Sequence, residues 1–344
     1  HGASFREPAS RSPAYANHRT VRLNCQIAAA RAPWLPTRGL RRYSRAIMQR
    51  IGELAAFGTA ICWTVSSMFF ERATKRVGVL AVNFYKLVFA FGFLVVAGAA
   101  SRGMPLPLDA TRDAWIFLSL SGLVGFVISD IFLFTAYKTI GSRITLLFVA
   151  LSPPMTAALG FLFLGETMRP LAIVGMGLVV VGIVIAVLGR RDQAARTVMS
   201  RDDKRGYVFA LFSAIGQSVG MILTKRGIGD YDALSATQIR VLVGVVGFAV
   251  ASVLAERGRN LKAAVRDAPG MKSTFSGAIF GPFLGVVLSL YAVQQTNAGV
   301  VSTLMALSPV LIIPPAILVL KQKVRFPEIA GAVIAVAGSA IFFL

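Results

Sequence analysis

Three ionisable side chains fall well inside stretches that are otherwise apolar: Lys86, Asp130 and Arg240. A charge at that depth in hydrocarbon costs a few kilocalories per mole unless it is paired, hydrated or able to reach the headgroups, so each is a candidate for contact with a polar solute. Lys86 and Arg240 each lie about seven residues into their segment, roughly 10 Å deep at a helical rise of 1.5 Å per residue. Each extends a stripe of small or polar residues at helical spacing, Asn83-Lys86-Ala90 in one case and Thr237-Arg240-Gly244 in the other, which suits a wet cavity better than lipid. Asp130 is expected at a depth similar to Lys86, which makes the two plausible partners. The pair could be a closed ion pair that fixes the helices, or Asp130 could be a protonatable group facing the cavity. Trp63 sits mid-segment beside Ser66 and Ser67, and could be either a packing residue or a cavity wall that stacks on a solute. Gln217 occupies the corresponding depth later in the chain, and Asn83, Tyr137 and Tyr291 are further candidates nearer the segment ends.

The elements that must position these groups are membrane helices. Of 344 residues, 56% are hydrophobic and 15% charged. The bilayer offers no water to backbone groups, so long apolar runs must satisfy their own hydrogen bonds as helices. The runs are expected at 51–70, 79–100, 114–136, 144–164 and 171–189, then at 206–224, 234–255, 274–293, 300–320 and 327–344. Short alternating strands, which a barrel would need, are absent. The formal charge of +21 lies in loops and in one tail, without the basic helix face of a nucleic-acid binder. Contact with anionic lipid is the better account, and no nucleic-acid partner is expected.

The chain also contains itself twice. Ala150-Leu151-Ser152-Pro153 returns as Ala306-Leu307-Ser308-Pro309. In the early part of each copy Gly52 matches Gly206, Trp63 matches Gln217 and Lys86 matches Arg240. In the later part Gly125 matches Gly281, Arg169 matches Arg325 and Gly182 matches Gly338, whereas Asp130 meets Val286. Arg240 therefore lacks the equivalent acid and is freer to meet a substrate carboxylate. Five spans per copy is an odd number, so the second copy enters the bilayer upside down. The expected fold is an all-α integral membrane protein of ten transmembrane helices in two inverted five-helix repeats, with the solute site near the midplane where they meet. The organisation reads as a disordered or non-native tail at 1–47, a first repeat at 48–189, a linker at 190–205 and a second repeat at 206–344. Pro153, Pro154, Pro309 and Pro314 should kink or loosen their spans, as static bends or as hinges. Gly281 and Gly285 belong to a small-residue stripe that lets helices approach closely.

Cys62-Trp63-Thr64 in the first span, Ser152-Pro153 in the fourth and Phe163-Leu164-Gly165-Glu166 ahead of a Gly-rich fifth span, in that order and duplicated, carry a resemblance. Over residues 50–344 the chain resembles a ten-span member of the drug/metabolite transporter superfamily, EamA type, and is similar to the bacterial amino-acid exporters within it. It departs from the pattern at Lys321-Gln322, where the family often has a glutamate, so any role of Glu166 is not mirrored. The resemblance implies a secondary transporter in the bacterial inner membrane that exports amino acids, aromatic or other neutral ones included, or related metabolites. A multidrug or nucleotide-sugar carrier of the same fold is the alternative within transport, and a non-transporting membrane scaffold is the alternative outside it. In this reading Trp63 stacks on the substrate and Lys86 or Arg240 meets its carboxylate.

Both histidines, His1 and His18, lie in the tail. A zinc site or a Ser-His hydrolase would have no base in the membrane part, and no enzyme activity, metal or cofactor is expected. No P-loop is present, so the driving force is expected from the solute gradient or from proton exchange, with Asp130 the first suspect for the latter. Because one chain supplies both halves, a monomer is expected to suffice. The loops after spans 1, 3, 5, 7 and 9 hold most of the lysines and arginines, which places that face in the cytoplasm. The family resemblance implies the opposite orientation, with both termini cytoplasmic.

Overall fold

The computed structural model describes residues 37–165, 170–194, 201–229, 231–256, 258–295, 298–319, 321–322 and 324–343. Among them every regular element is helical. Among the described residues nine helices are long and apolar enough to cross a bilayer, and a tenth, shorter apolar helix follows them. They are α1 Thr37–Val77, α2 Val79–Arg102, α3 Arg112–Thr139, α4 Ser142–Phe163, α5 Pro170–Ala194, α6 Arg201–Ile228, α7 Ala233–Glu256, α8 beginning at Ala268 and ending at Gln295, α9 beginning at Ala298 and ending at Leu318, and α10 Phe326–Phe343. The first of these begins at Thr37, inside the segment expected to be a tail, while residues 1–36 and Glu166 lie outside the described residues.

Packing follows the duplication. As α1 lies along α8, so α6 lies along α3; as α1 takes α9, so α6 takes α4. The halves therefore exchange partners, and α5 lies along α10. That contact needs glycine, because a Cβ added to Gly182 would lie 2.5 Å from the Gly331 carbonyl oxygen and 2.5 Å from the Ala335 nitrogen. Helices in lipid gain little from hydrophobic exclusion and associate through such close backbone contact. The α1–α8 and α3–α6 seams share one hydrogen bond with its donor transposed. Ser66 Oγ donates to the Gly277 carbonyl at 2.8 Å, and Ser121 Oγ donates to that of Gly220, the repeat mate of Ser66, at 2.6 Å.

Two departures from regular helix recur in both halves. In α3 and α8 the ladder widens to a π-turn at equivalent positions, Leu123–Ile128 and Ile279–Gly285. Such bulges concentrate at functional sites. In α4 and α9 the duplicated Ala-Leu-Ser-Pro breaks the helix. The first pieces are Ser142–Val149 and Ala298–Met305, and new helix restarts at Ser152 and Ser308. Proline lacks the N–H that an interior turn would use but fits a first turn, so the chain stops and restarts rather than merely bending. Another break follows at Ile312, before Pro314 and Pro315 in Ile313–Leu318. Repeat-related hydroxyls reach the two breaks: Ser218 Oγ donates to the Ser152 carbonyl at 3.0 Å, and Thr64 Oγ1 lies 3.4 Å from that of Ser308.

Candidate functional site

The wide turn of α3 puts Asp130 one turn beyond Phe126, on the side where α2 and α7 both approach. Lys86 reaches it from α2. Its Nζ donates to Asp130 Oδ2 at 2.6 Å and to Asn83 Oδ1 at 2.8 Å, and it lies 4.4 Å from the centre of the Phe134 ring and 5.7 Å from that of Phe70. Asn83 is held in turn by its Nδ2, which donates to the Val79 carbonyl at 3.0 Å. Lys86 and Asp130 are both buried, so the pair is closed to bulk water rather than a loose surface contact. Tyr137 completes the wall, buried with its ring 5.3 Å from Phe134.

Arg240 arrives from α7. Its backbone sits so close to α3 that a Cβ on Gly122 would lie 2.5 Å from the Arg240 carbonyl oxygen. Its guanidinium lies over the Phe126 ring at 4.6 Å and near Gly125. Among the described residues it has no hydrogen bond and no ion pair, and its Nε is buried without a partner. The structure thus brings together Asn83, Lys86, Asp130, Tyr137 and Arg240.

Other residues expected at the site stand elsewhere. Ser66 is spent on the α1–α8 seam, and Ser67 Oγ donates to its own helix at the Thr64 carbonyl, 2.7 Å away; both are buried in packing rather than open to a cavity. Trp63 is 37% exposed and lies against Gly281 and Gly285, the glycines of the wide turn in α8. Gln217 donates to Ser213 Oγ within α6 at 3.1 Å, and Tyr291 is exposed on α8. Neither makes a hydrogen bond, ion pair or ring contact with the Lys86 group.

Residues 50–188 and 204–344 both match the EamA-like transporter family. The chain belongs to that family. Among its relatives is an uncharacterized transporter of Clostridium kluyveri, 24% identical over 257 residues that make up 74% of this chain and 81% of that protein. A solved crystal structure shares the fold at a TM-score of 0.60 and 18% identity, over 84% of this chain and 95% of the other. This EamA-like protein is accordingly an all-helical, multi-pass membrane transporter built on a duplicated unit.

Polar groups that the sequence reading passed over close one face of the bundle. Glu71, buried near the end of α1, accepts from Ser142 N at 2.8 Å and Ser142 Oγ at 2.6 Å, clasping the start of α4. It also pairs with Lys75 at 2.5 Å. A buried pair joins Arg143 of α4 to Glu328 of α10 at 2.9 Å, and Arg76 of α1 meets Asp267 at the start of α8 at 3.1 Å. The Arg76 hydrogen bond, helped by the Gly270 N–H, holds the Asp267 carboxyl below the usual carboxylate range. Glu71 could have been found in the sequence, because its repeat mate is Lys225: a reversal of charge at matched positions is conspicuous in a membrane protein. The other two pairs involve residues at span ends, where charge is ordinary, and carried no such signal. No group of three or more metal-ligating side chains occurs among the described residues.

Proposed function

We propose that this transporter exports amino acids, or closely related small metabolites, by alternating access between its two inverted halves. The observation that carries the reading is the Lys86, Asp130 and Arg240 group. It places two cations and one carboxylate inside the membrane, on helices from both halves, beside a wide turn. A purely structural group would balance its charges, because an uncompensated buried ion is strongly destabilising. A group that receives a charged solute can leave one charge over. Trp63 of α1, part-exposed against the wide turn of α8, supplies an aromatic wall. The excess of cation over acid disfavours the multidrug reading, since a carrier of organic cations would need an acid free of partners.

Two five-helix units, 48–189 and 206–344, make one chain sufficient, and the bacterial inner membrane is the proposed location. Asp130 is the proposed proton carrier, with Pro153, Pro154, Pro309 and Pro314 as the points about which the broken helices flex. The test is uptake of a labelled amino-acid panel into proteoliposomes, with and without a pH gradient. Saturable flux of at least one amino acid, accelerated by the gradient, is expected. Failure of every amino acid, with flux of a nucleotide sugar or an organic cation instead, would replace the substrate class. Flux indifferent to the gradient would remove the proton role of Asp130.

A further inference from the structure

The charges of the intramembrane group are unequally satisfied. Lys86 is fully engaged by Asp130, Asn83 and the Phe134 ring. Arg240 has only the face of Phe126, which stabilises a cation but satisfies none of its five N–H donors. Asp130 also has a spare half. Oδ2 is taken by Lys86, whereas Oδ1 accepts no hydrogen bond among the described residues. Asp130 and Arg240 interact electrostatically, yet they stand farther apart than the 4.0 Å of an ion pair. A guanidinium without hydrogen-bond partners, over Phe126, and a carboxylate oxygen without one, at Asp130, thus stand about one helical turn apart along α3.

We infer that Arg240 and Asp130 Oδ1 form a clamp for a zwitterion, the guanidinium taking the α-carboxylate and the aspartate oxygen taking the α-ammonium. A guanidinium offers a carboxylate two parallel hydrogen bonds. An α-amino acid carries its charges on neighbouring groups, and with a hydrogen bond of about 2.9 Å at each end it bridges roughly 8 Å. Lys86 is then a positioning residue. It holds Oδ2 by a hydrogen bond and supplies the counter-charge of Asp130, but does not touch the solute. The clamp rests on the reading of the chain as an amino-acid transporter and narrows it: both charges of the substrate are read, so a monocarboxylate or a simple amine is a poor substitute. It also decides between the two basic residues, in favour of Arg240.

The experiment takes the amino acid with the fastest saturable flux, its deaminated acid and its decarboxylated amine, and measures each as a competitor in proteoliposomes holding the full chain. In the wild type both analogues should compete at least about tenfold less well than the amino acid. Arg240→Gln should weaken the amino acid and the acid about tenfold and leave the amine unchanged, with partial recovery in Arg240→Lys. Asp130→Asn leaves Lys86 without its counter-ion and risks misfolding. The double variant Lys86→Gln/Asp130→Asn keeps an amide pair without charge, and it should weaken the amino acid and the amine while sparing the acid. Amino-acid flux with unchanged preferences in Arg240→Gln or in the double variant would overturn the clamp alone. Flux of no amino acid would overturn the substrate class beneath it.

Discussion

The two faces of the bundle are built from the same repeat and are not held by the same chemistry. Where α1, α4, α8 and α10 meet, Glu71 clasps Ser142, Arg143 pairs with Glu328 and Arg76 pairs with Asp267. The repeat mates on the opposite face are Lys225 and Ala298, Gly299 and Ala172, Asp230 and Thr111. None of the three pairs repeats the residue types of its counterpart or joins opposite charges. Thr111 keeps only the other duty of Asp267, capping its helix by accepting from the Ala114 N–H at 3.2 Å as Asp267 accepts from Gly270 at 2.7 Å. The opposite face is tied instead by Arg102, which bonds Asp109 and Ser235 and lies near Asp232, linking the end of α2 to the start of α7. The lesson is that inverted duplication supplies two equivalent frames but fixes no equality of the two closures. Under the proposed alternating access, the carrier works against a different set of contacts at each end.

The largest effect should come from Glu328. Glu328→Ala leaves Arg143 buried against an uncharged neighbour and is expected to cost about 3–5 kcal/mol, read as loss of thermal stability in detergent. Arg143→Met with Glu328→Leu, which removes both charges, should recover most of that loss; no recovery would show that the pair is more than a mutual neutralisation.

Next is the transplant of the missing acid. Val286→Asp gives the second half the residue that the first half has at Asp130. If the clamp is correct, the new carboxylate competes with substrate for Arg240 and the apparent KM for an amino acid rises about tenfold, equal to about 1.4 kcal/mol. An unchanged KM would mean that position 286 cannot reach the guanidinium, and the parallel between the halves would stop short of the site.

Glu71→Gln should be milder, at about 1–3 kcal/mol, since an amide oxygen can still accept from Ser142 although the charge is lost. Its check is selective: thiol labelling of a cysteine placed at Ser142 should speed up on this face, with no change for one placed at Ser235 on the other. The smallest effect belongs to Arg76 and Asp267. The folded carboxyl is held below its ordinary value, so its contribution is present at neutral pH and is lost as pH falls through the folded pKa. Asp267→Asn should therefore leave stability nearly unchanged at low pH and lower it slightly at pH 7, by an amount that added salt erases.

Much of the framework is legible before any coordinates. The number of spans, the inversion and the pairing of Lys86 with Asp130 all follow from apolar run lengths, an odd repeat and matched depth. The helix breaks at Ser152-Pro153 and Ser308-Pro309 were visible as prolines, though as kinks rather than as full interruptions. The wide turns of α3 and α8 were not visible, because a π-turn depends on how neighbouring helices accommodate one extra residue. Ser66 and Ser67 illustrate the same limit: a serine near a mid-span tryptophan looks the same in sequence whether its hydroxyl meets a solute or a backbone carbonyl.

The sequence by itself determined where the chain crosses the bilayer and that it does so twice over in opposite senses, because hydrocarbon forbids unpaired backbone over any length and an odd repeat must invert. Only the tertiary structure decided which of two cations is satisfied and which remains open. That outcome depends on distances between side chains from α2, α3 and α7, which are remote along the chain and brought together by the partner exchange of the two halves. Residue type sets what a lysine or an arginine can bind, but the neighbours that fold around it determine whether anything is left to bind.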